Sequence, residues 1–185
     1  MCVIEEKPKI FELIKNLLTA NKSEKNIFLY GNADFTSDIK KYMFENDVIF
    51  FRFASPAGDL SDLYPLIDLL VLGECGHYKN RANAIFPGSV RTILLNIDNP
   101  GGLNCPDKNA QVITCGLKEK DTVIFSSINL DEGNVILDLQ RSIKNIRGET
   151  LDPFEKQLSI PDFAMAAKAE DLLLSLTALT LCGRM

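Results

Sequence analysis

The loop that begins at Gly31 carries part of the chemistry of a phosphate-binding loop. In a working loop of this kind, small residues let backbone N–H groups close around phosphate oxygens, a lysine neutralises them and a threonine holds Mg²⁺. When the first glycine of this pattern is aligned with Gly31, which Asn32 follows, Thr36 stands in the metal-binding position. Asp34 then replaces the second glycine, and Phe35 replaces the lysine. Because a carboxylate repels phosphate and the cation is missing, we expect weak binding of ATP and Mg²⁺ and no cofactor.

The only histidine, His77, closes the segment Gly73-Glu-Cys-Gly-His77, which follows a strongly apolar run. Glu74, Cys75 and His77 could bind a metal, or the thiol and imidazole could act as a nucleophile and its base. A tight zinc site needs about four ligands, and no second pair at suitable spacing accompanies this one, so we predict no metal site. A turn shaped by the two glycines is favoured. Glu74 and His77 remain candidates for binding a ligand.

Asn96 and Asp98 precede Pro100 at the end of another apolar run. Polar side chains at a strand end can bind a ribose or another polar ligand. The same residues also form turns, because Asn and Asp side chains bond their own backbone and proline fixes the next φ angle. The turn is favoured, and both residues are kept as candidate ligand-binding residues.

Apolar periodicity predicts alternating helices and strands in the first hundred residues. The predicted elements are a helix over 8–18, a strand over 27–30, a helix over 37–45 and strands over 48–53, 67–72 and 91–97. Connections of a dozen or more residues favour parallel strands, since parallel neighbours cannot be joined by tight turns. We therefore expect a three-layer α/β fold whose parallel sheet has 27–30 and 67–72 among its central strands. The loop after Gly31 and the segment Glu74 to His77 should then share one crevice.

After residue 101 the apolar runs follow one another closely, and Leu130-Asp-Glu-Gly133 reads as a hairpin turn. These features predict an antiparallel segment over 101–158. A long helix is expected over 159–185, opening at Ser159-Ile-Pro-Asp162, where serine can cap, proline fits the first turn and aspartate favours the helix dipole. The whole chain, 1–185, is predicted to form one domain.

The order of these features resembles the central, ATP-binding domain of the Mur ligases, which add amino acids to a cell-wall precursor, and of their folylpolyglutamate synthase relatives. The similarity spans nearly the whole chain. The segments that carry it are Ile27 to Thr36 at the phosphate loop, Asp68 to Glu74, Leu94 to Pro100, Gln111 to Leu117, the hairpin around Gly133 and the run Phe154 to Ala169.

The departures from this family fall on the residues that perform its chemistry. Phe35 stands in place of the phosphate lysine, and Ala164 and Met165 stand in place of a His-Asn pair after Pro161. The lysine that is carbamylated in several members has no counterpart, and neither do the flanking substrate and amino-acid domains. The resemblance thus implies a degenerate, non-catalytic binding or scaffolding module. The alternative is a ligase-related enzyme subunit that binds a nucleotide or cell-wall precursor and is completed by a partner.

The amino-acid composition excludes some classes of binding partner. The 185 residues are 46% hydrophobic, which suffices for a core, and the net charge of −5 with dispersed basic residues argues against a nucleic-acid surface. Five irregularly spaced cysteines predict reduced thiols and a cytoplasmic location. The apolar stretch from Leu172 to Cys182 is too short and polar-flanked to span a bilayer, so no membrane association is expected. The partner is expected to be a small molecule, another protein or a second copy of the chain.

Overall fold

The computed structural model describes residues 1–4, 9–20, 27–30, 49–53, 67–73, 90–96 and 110–184. The predicted helix over 37–45 lies outside these residues. The described elements are strands β1 (Cys2–Ile4), β2 (Ile27–Tyr30), β3 (Ile49–Phe53), β4 (Leu69–Leu72), β5 (Thr92–Asn96), β6 (Gln111–Cys115), β7 (Val123–Asn129), β8 (Asn134–Leu139), β9 (Ile143–Lys144), β10 (Thr150–Leu151) and β11 (Phe154–Ser159), with helices α1 (Lys9–Ala20), α2 (Asp162–Met165) and α3 (Ala169–Leu181).

The described strands form a nine-stranded mixed sheet in the order β11-β8-β7-β6-β5-β4-β1-β3-β2, and β9 and β10 form a separate antiparallel pair. From β2 to β6 every neighbouring pair is parallel. The pairs β7–β8 and β8–β11 are antiparallel. The predicted α/β class and predominantly parallel sheet, followed by antiparallel strands, are confirmed.

The position of β2 differs from the prediction. β4 is central, as expected, but β2 lies at the edge of the sheet, outside β3. The place between β3 and β4 is occupied by β1, which the sequence did not reveal because three residues are too few to show a period. Local apolar runs identify strands, whereas the order of strands depends on contacts between distant segments.

The change to antiparallel pairing also comes later than residue 101. All five residues of β6 pair in parallel with β5. β7 is parallel to β6 as well, but the two share only the pair Cys115–Val123, because β7 begins where β6 ends. This stagger explains how a short link joins two parallel strands without a crossover, and why the sequence predicted a reversal there.

The two longer helices lie on one face of the sheet, where α1 packs against α3 and α3 contacts β4 through β7. The sheet residues on this face are buried; they include Leu69, Val71, Leu94 and Ile113. On the opposite face Leu70, Leu72, Ile93 and Leu95 are buried as well. The continuous apolar sequences of β4 and β5 are therefore explained by burial of side chains on both faces of the sheet. The third layer remains a prediction.

The single long helix predicted over 159–185 is instead the end of β11 followed by α2 and α3. Lys168 is extended, with φ −63° and ψ 142°, and separates the two helices. This break lets α2 cover the β7–β8 turn, where a side chain at Gly133 would meet the Met165 methyl group at 2.5 Å. Helix α3 then follows its own direction beneath the sheet, with every residue from Leu172 to Leu179 buried.

Candidate ligand site at the carboxyl edge of the sheet

Of the candidate residues, Asn96 is the one that the structure describes. It is half-buried at the last position of β5 and pairs in register with Cys115 of β6. The other candidates lie outside the described residues; they are Gly31, Asn32, Thr36, Glu74, His77 and Asp98.

The strands that lead to these candidates show which of them can share a crevice. β2, which precedes Gly31, is separated from β4 by both β3 and β1. The two strands are therefore not neighbours, contrary to our expectation from the sequence. β4, β5 and β6 are consecutive neighbours. In sequence, Glu74 comes two residues after the end of β4, and Asp98 comes two residues after the end of β5. The acidic candidates therefore follow adjacent strands, and the Gly31 loop follows a distant one.

The loop after β6 adds a residue that sequence reasoning missed. This loop runs from Gly116 to Thr122, and one of its two acidic residues, Asp121, is fully buried. A Cβ placed on Gly116 would lie 2.1 Å from Asp121 Oδ2 and 2.8 Å from its carboxyl carbon. Asp121 therefore occupies the space that any side chain at position 116 would need, and the pair Gly116 and Asp121 fixes the loop.

The two carboxyl oxygens of Asp121 have different surroundings. Oδ2 accepts a hydrogen bond from the Lys118 backbone N–H at 3.2 Å. Oδ1 is buried and has no hydrogen-bond partner among the described residues. A buried polar atom without a partner costs about 1–3 kcal/mol. The loop thus holds a carboxyl oxygen whose capacity to accept a hydrogen bond is unused within the described part of the chain.

Two threonines hold the base of this loop. The Thr122 backbone N–H lies 2.9 Å from the Thr114 carbonyl oxygen and 3.0 Å from Thr114 Oγ1. The Thr114 N–H in turn donates to Thr122 Oγ1 at 3.4 Å. Because Thr114 belongs to β6 and Thr122 directly precedes β7, these bonds join the two ends of the loop and place Asp121 at the carboxyl end of β6.

The thiol beside this loop is not suited to chemistry. Cys115 Sγ donates a hydrogen bond to Thr177 Oγ1 of α3 at 3.4 Å. Burial raises the pKa of Cys115 to about 12, the bond to Thr177 acts in the opposite direction, and the negative charge of Asp121 raises the pKa further. Because the thiolate is the nucleophile and metal ligand, Cys115 is an inert core residue at neutral pH.

The signal that could have revealed Asp121 was present but ambiguous. The segment Gly116-Leu-Lys-Glu-Lys-Asp121 has the polar, charged composition of an ordinary turn. The flanking residues Leu117, Lys118, Glu119 and Lys120 are indeed exposed. Only the structure distinguishes the one buried acid in this run.

Within the described ranges, no group of three His, Cys, Asp or Glu side chains is placed to hold a metal ion. None of the described helices combines the length and apolar character needed to cross a bilayer. In comparisons with known proteins, no family model matches the chain, and no curated protein matches it.

Proposed function

We propose that this chain is a cytoplasmic, non-catalytic binding or scaffolding module whose ligand lies at the carboxyl ends of β4, β5 and β6. The ligand donates hydrogen bonds through hydroxyl or ammonium groups rather than presenting phosphates. The chain would be a degenerate relative of the Mur ligase central domain in which binding persists and phosphoryl transfer does not.

The observation that carries this proposal is Oδ1 of Asp121, which is buried at the carboxyl end of β6 and has no hydrogen-bond partner within the described part of the chain. A buried polar atom without a partner in a folded protein calls for an explanation. A bound ligand is one such explanation, because its donor group would offset the free-energy cost of burying the oxygen. The preceding residues of the same loop, Leu117 to Lys120, are exposed, so the loop that holds this oxygen lies at the surface. A hydroxyl or ammonium donor would complete the hydrogen bonding of the carboxyl group.

Charge supports the same ligand class. Glu74 and Asp98 follow β4 and β5 in sequence, so three acids are associated with three neighbouring strands. The chain carries a net charge of −5. An anionic ligand would meet repulsion here, whereas a cationic or hydroxyl-rich ligand would not.

The strand order supports the loss of ATP-dependent chemistry. In open α/β sheets, ligands bind where the strand order reverses, outside the carboxyl ends of two adjacent strands. Here the reversal lies between β1 and β4, because β1 is followed by β2 on one side and β4 by β5 on the other. β4, which belongs to the proposed site, borders this point. β2, the strand that precedes Gly31 in sequence, is the outermost described strand on the other side, and Phe35 stands in place of the lysine.

The first test is calorimetry with Mg-ATP. We expect no heat of binding at sub-millimolar nucleotide. A micromolar dissociation constant that disappears in Thr36→Ala would overturn the proposal and favour the ligase-related enzyme subunit.

The second test measures ligand-induced shifts in melting temperature. Polyamines, amino sugars and neutral polyols are compared with nucleoside phosphates, and we expect a shift from the first group. The shift should vanish in Asp121→Asn and persist in the matched control Glu119→Gln, which removes a charge from an exposed position of the same loop. A shift that survives in Asp121→Asn, or one produced only by phosphates, would contradict the proposal.

A further inference from the structure

β11 ends the described sheet, and none of the described strands lies beside its outer edge. Glu155, Lys156 and Gln157 in its middle are exposed. An edge strand presents a row of backbone N–H and C=O groups that a further strand can pair with, and proteins generally either protect such edges or use them.

The hydrogen-bond pattern identifies the outward groups. The Ile160 N–H donates to the Gly133 carbonyl at 2.6 Å, and in the same register Leu158 pairs with Val135. In an antiparallel ladder the residues that bond to the neighbour alternate, so the even-numbered residues of β11 bond to β8. Glu155, Gln157 and Ser159 therefore direct their N–H and C=O groups to the free edge.

We propose that β11 pairs antiparallel with β11 of a second copy of this chain, about a two-fold axis at Gln157. A continuous sheet keeps each face on its own side, so only residues of the same parity can lie opposite one another. An axis at Lys156 would oppose two ammonium groups, and an axis at Glu155 would oppose two carboxylates. The axis at Gln157 opposes no like charges, because Glu155 then faces Ser159 and Lys156 faces Leu158.

This register also satisfies the outward backbone groups. Gln157 pairs with itself, and Glu155 and Ser159 pair with each other on both sides of the axis. All three residues are outward-bonding in both copies, so every N–H of the edge meets a C=O. The strand is complementary to itself, as an isologous two-fold interface requires.

An apolar groove beside this edge gives the second copy a further contact. The groove has a volume of about 190 Å³ and lies between α1, α3 and the end of β11. Its lining residues are Leu17, Leu158, Ser159, Ile160, Pro161, Leu176 and Leu179. In the proposed register Phe154 of the second copy stands opposite Ile160, on the groove's side of the sheet. The contact occurs twice, once for each copy.

The decisive variant is Gln157→Pro. It removes an outward N–H without touching the bonds to β8, and proline is tolerated in edge strands whose N–H faces solvent. By sedimentation at high micromolar concentration we expect the unaltered protein to be a dimer and Gln157→Pro to be a monomer with an unchanged far-UV spectrum. The control Gln157→Thr keeps the N–H and a strand-favouring side chain and should remain a dimer.

Charge at the axis provides an independent check. Gln157→Lys and Gln157→Glu should each weaken self-association by about tenfold or more, because like charges then face each other across the axis. An equimolar mixture of the two variants should form a heterodimer, detected by native mass spectrometry. A monomeric unaltered protein at these concentrations, or a dimer that Gln157→Pro and both charged variants leave unchanged, would overturn the proposal.

Discussion

The parallel and antiparallel parts of the sheet are stabilised in different ways. In β4 and β5 nearly every side chain is buried, on both faces. In β8 buried residues alternate with half-buried ones, and β11 is mostly exposed. The parallel part therefore depends on apolar burial from two sides, whereas the antiparallel part combines one buried face with hydrogen bonds from loops and side chains.

The largest expected effect comes from truncating one large aliphatic side chain to alanine in each region. Leu94→Ala, at a fully buried position of β5, should cost about 2–5 kcal/mol of the free energy of unfolding. Ile136→Ala, at a half-buried position of β8 on the opposite face, should cost clearly less. Urea denaturation measures both, and equal losses would show that the two regions are not stabilised differently.

A smaller loss is expected where the two parts join. Gly116→Ala should destabilise by about 1–3 kcal/mol, because the new methyl group would lie 2.1 Å from Asp121 Oδ2. The double variant Gly116→Ala with Asp121→Ala should lose less than the sum of the single changes, because the clash is absent. Strictly additive losses in chemical denaturation would mean that the loop accommodates the methyl group elsewhere.

The burial of Cys115 in β6 should make the free energy of unfolding depend on pH in the alkaline range. The pKa of Cys115 is raised from 9.0 to about 12 in the folded state, so the folded protein keeps a proton that the unfolded chain releases. This contribution to stability is complete below pH 9 and is lost as the pH rises towards 12. The loss is about 1.4 kcal/mol for each pH unit well above 9.

The measurement is the difference in unfolding free energy between Cys115→Ala and the unaltered protein at pH 8 and pH 10. The gap should narrow at the higher pH. Other groups that titrate in this range cancel in the comparison, so a gap that stays constant would contradict the assigned burial of the thiol.

The smallest effect concerns the β9–β10 hairpin. Gln111 binds the Lys144 backbone twice, donating to its carbonyl and accepting from its N–H, both at 2.8 Å. Gln111→Ala should cost about 0.5–1.5 kcal/mol, since these bonds are exposed. We expect faster amide hydrogen exchange in the hairpin and unchanged exchange in β4. Equal acceleration in both would show that the hairpin does not open separately.

The sequence identified most of the elements of the parallel part because their strands are uninterrupted apolar runs. β11 escaped prediction because Glu155, Lys156 and Gln157 in its centre give it almost no apolar alternation. The edge position of β2 and the central position of β1 could not be read from local pattern, since both depend on pairing between distant residues. Asn96 was chosen as a candidate ligand-binding residue because it stands at the end of an apolar run. Asp121 was not chosen, because the sequence around it has the composition of an ordinary charged turn.

The central position of β1 has a consequence for how the chain reaches its native state. β1 pairs with β3 and β4, so that Cys2 lies beside both Phe51 and Leu70. Its own helix, α1, packs against α3, the last described element of the chain. The residues of β1 thus acquire their strand partners only after long stretches of chain have followed. Such non-local pairing slows folding. We therefore expect refolding to be slow for the size of the protein, with the middle of the sheet closing late.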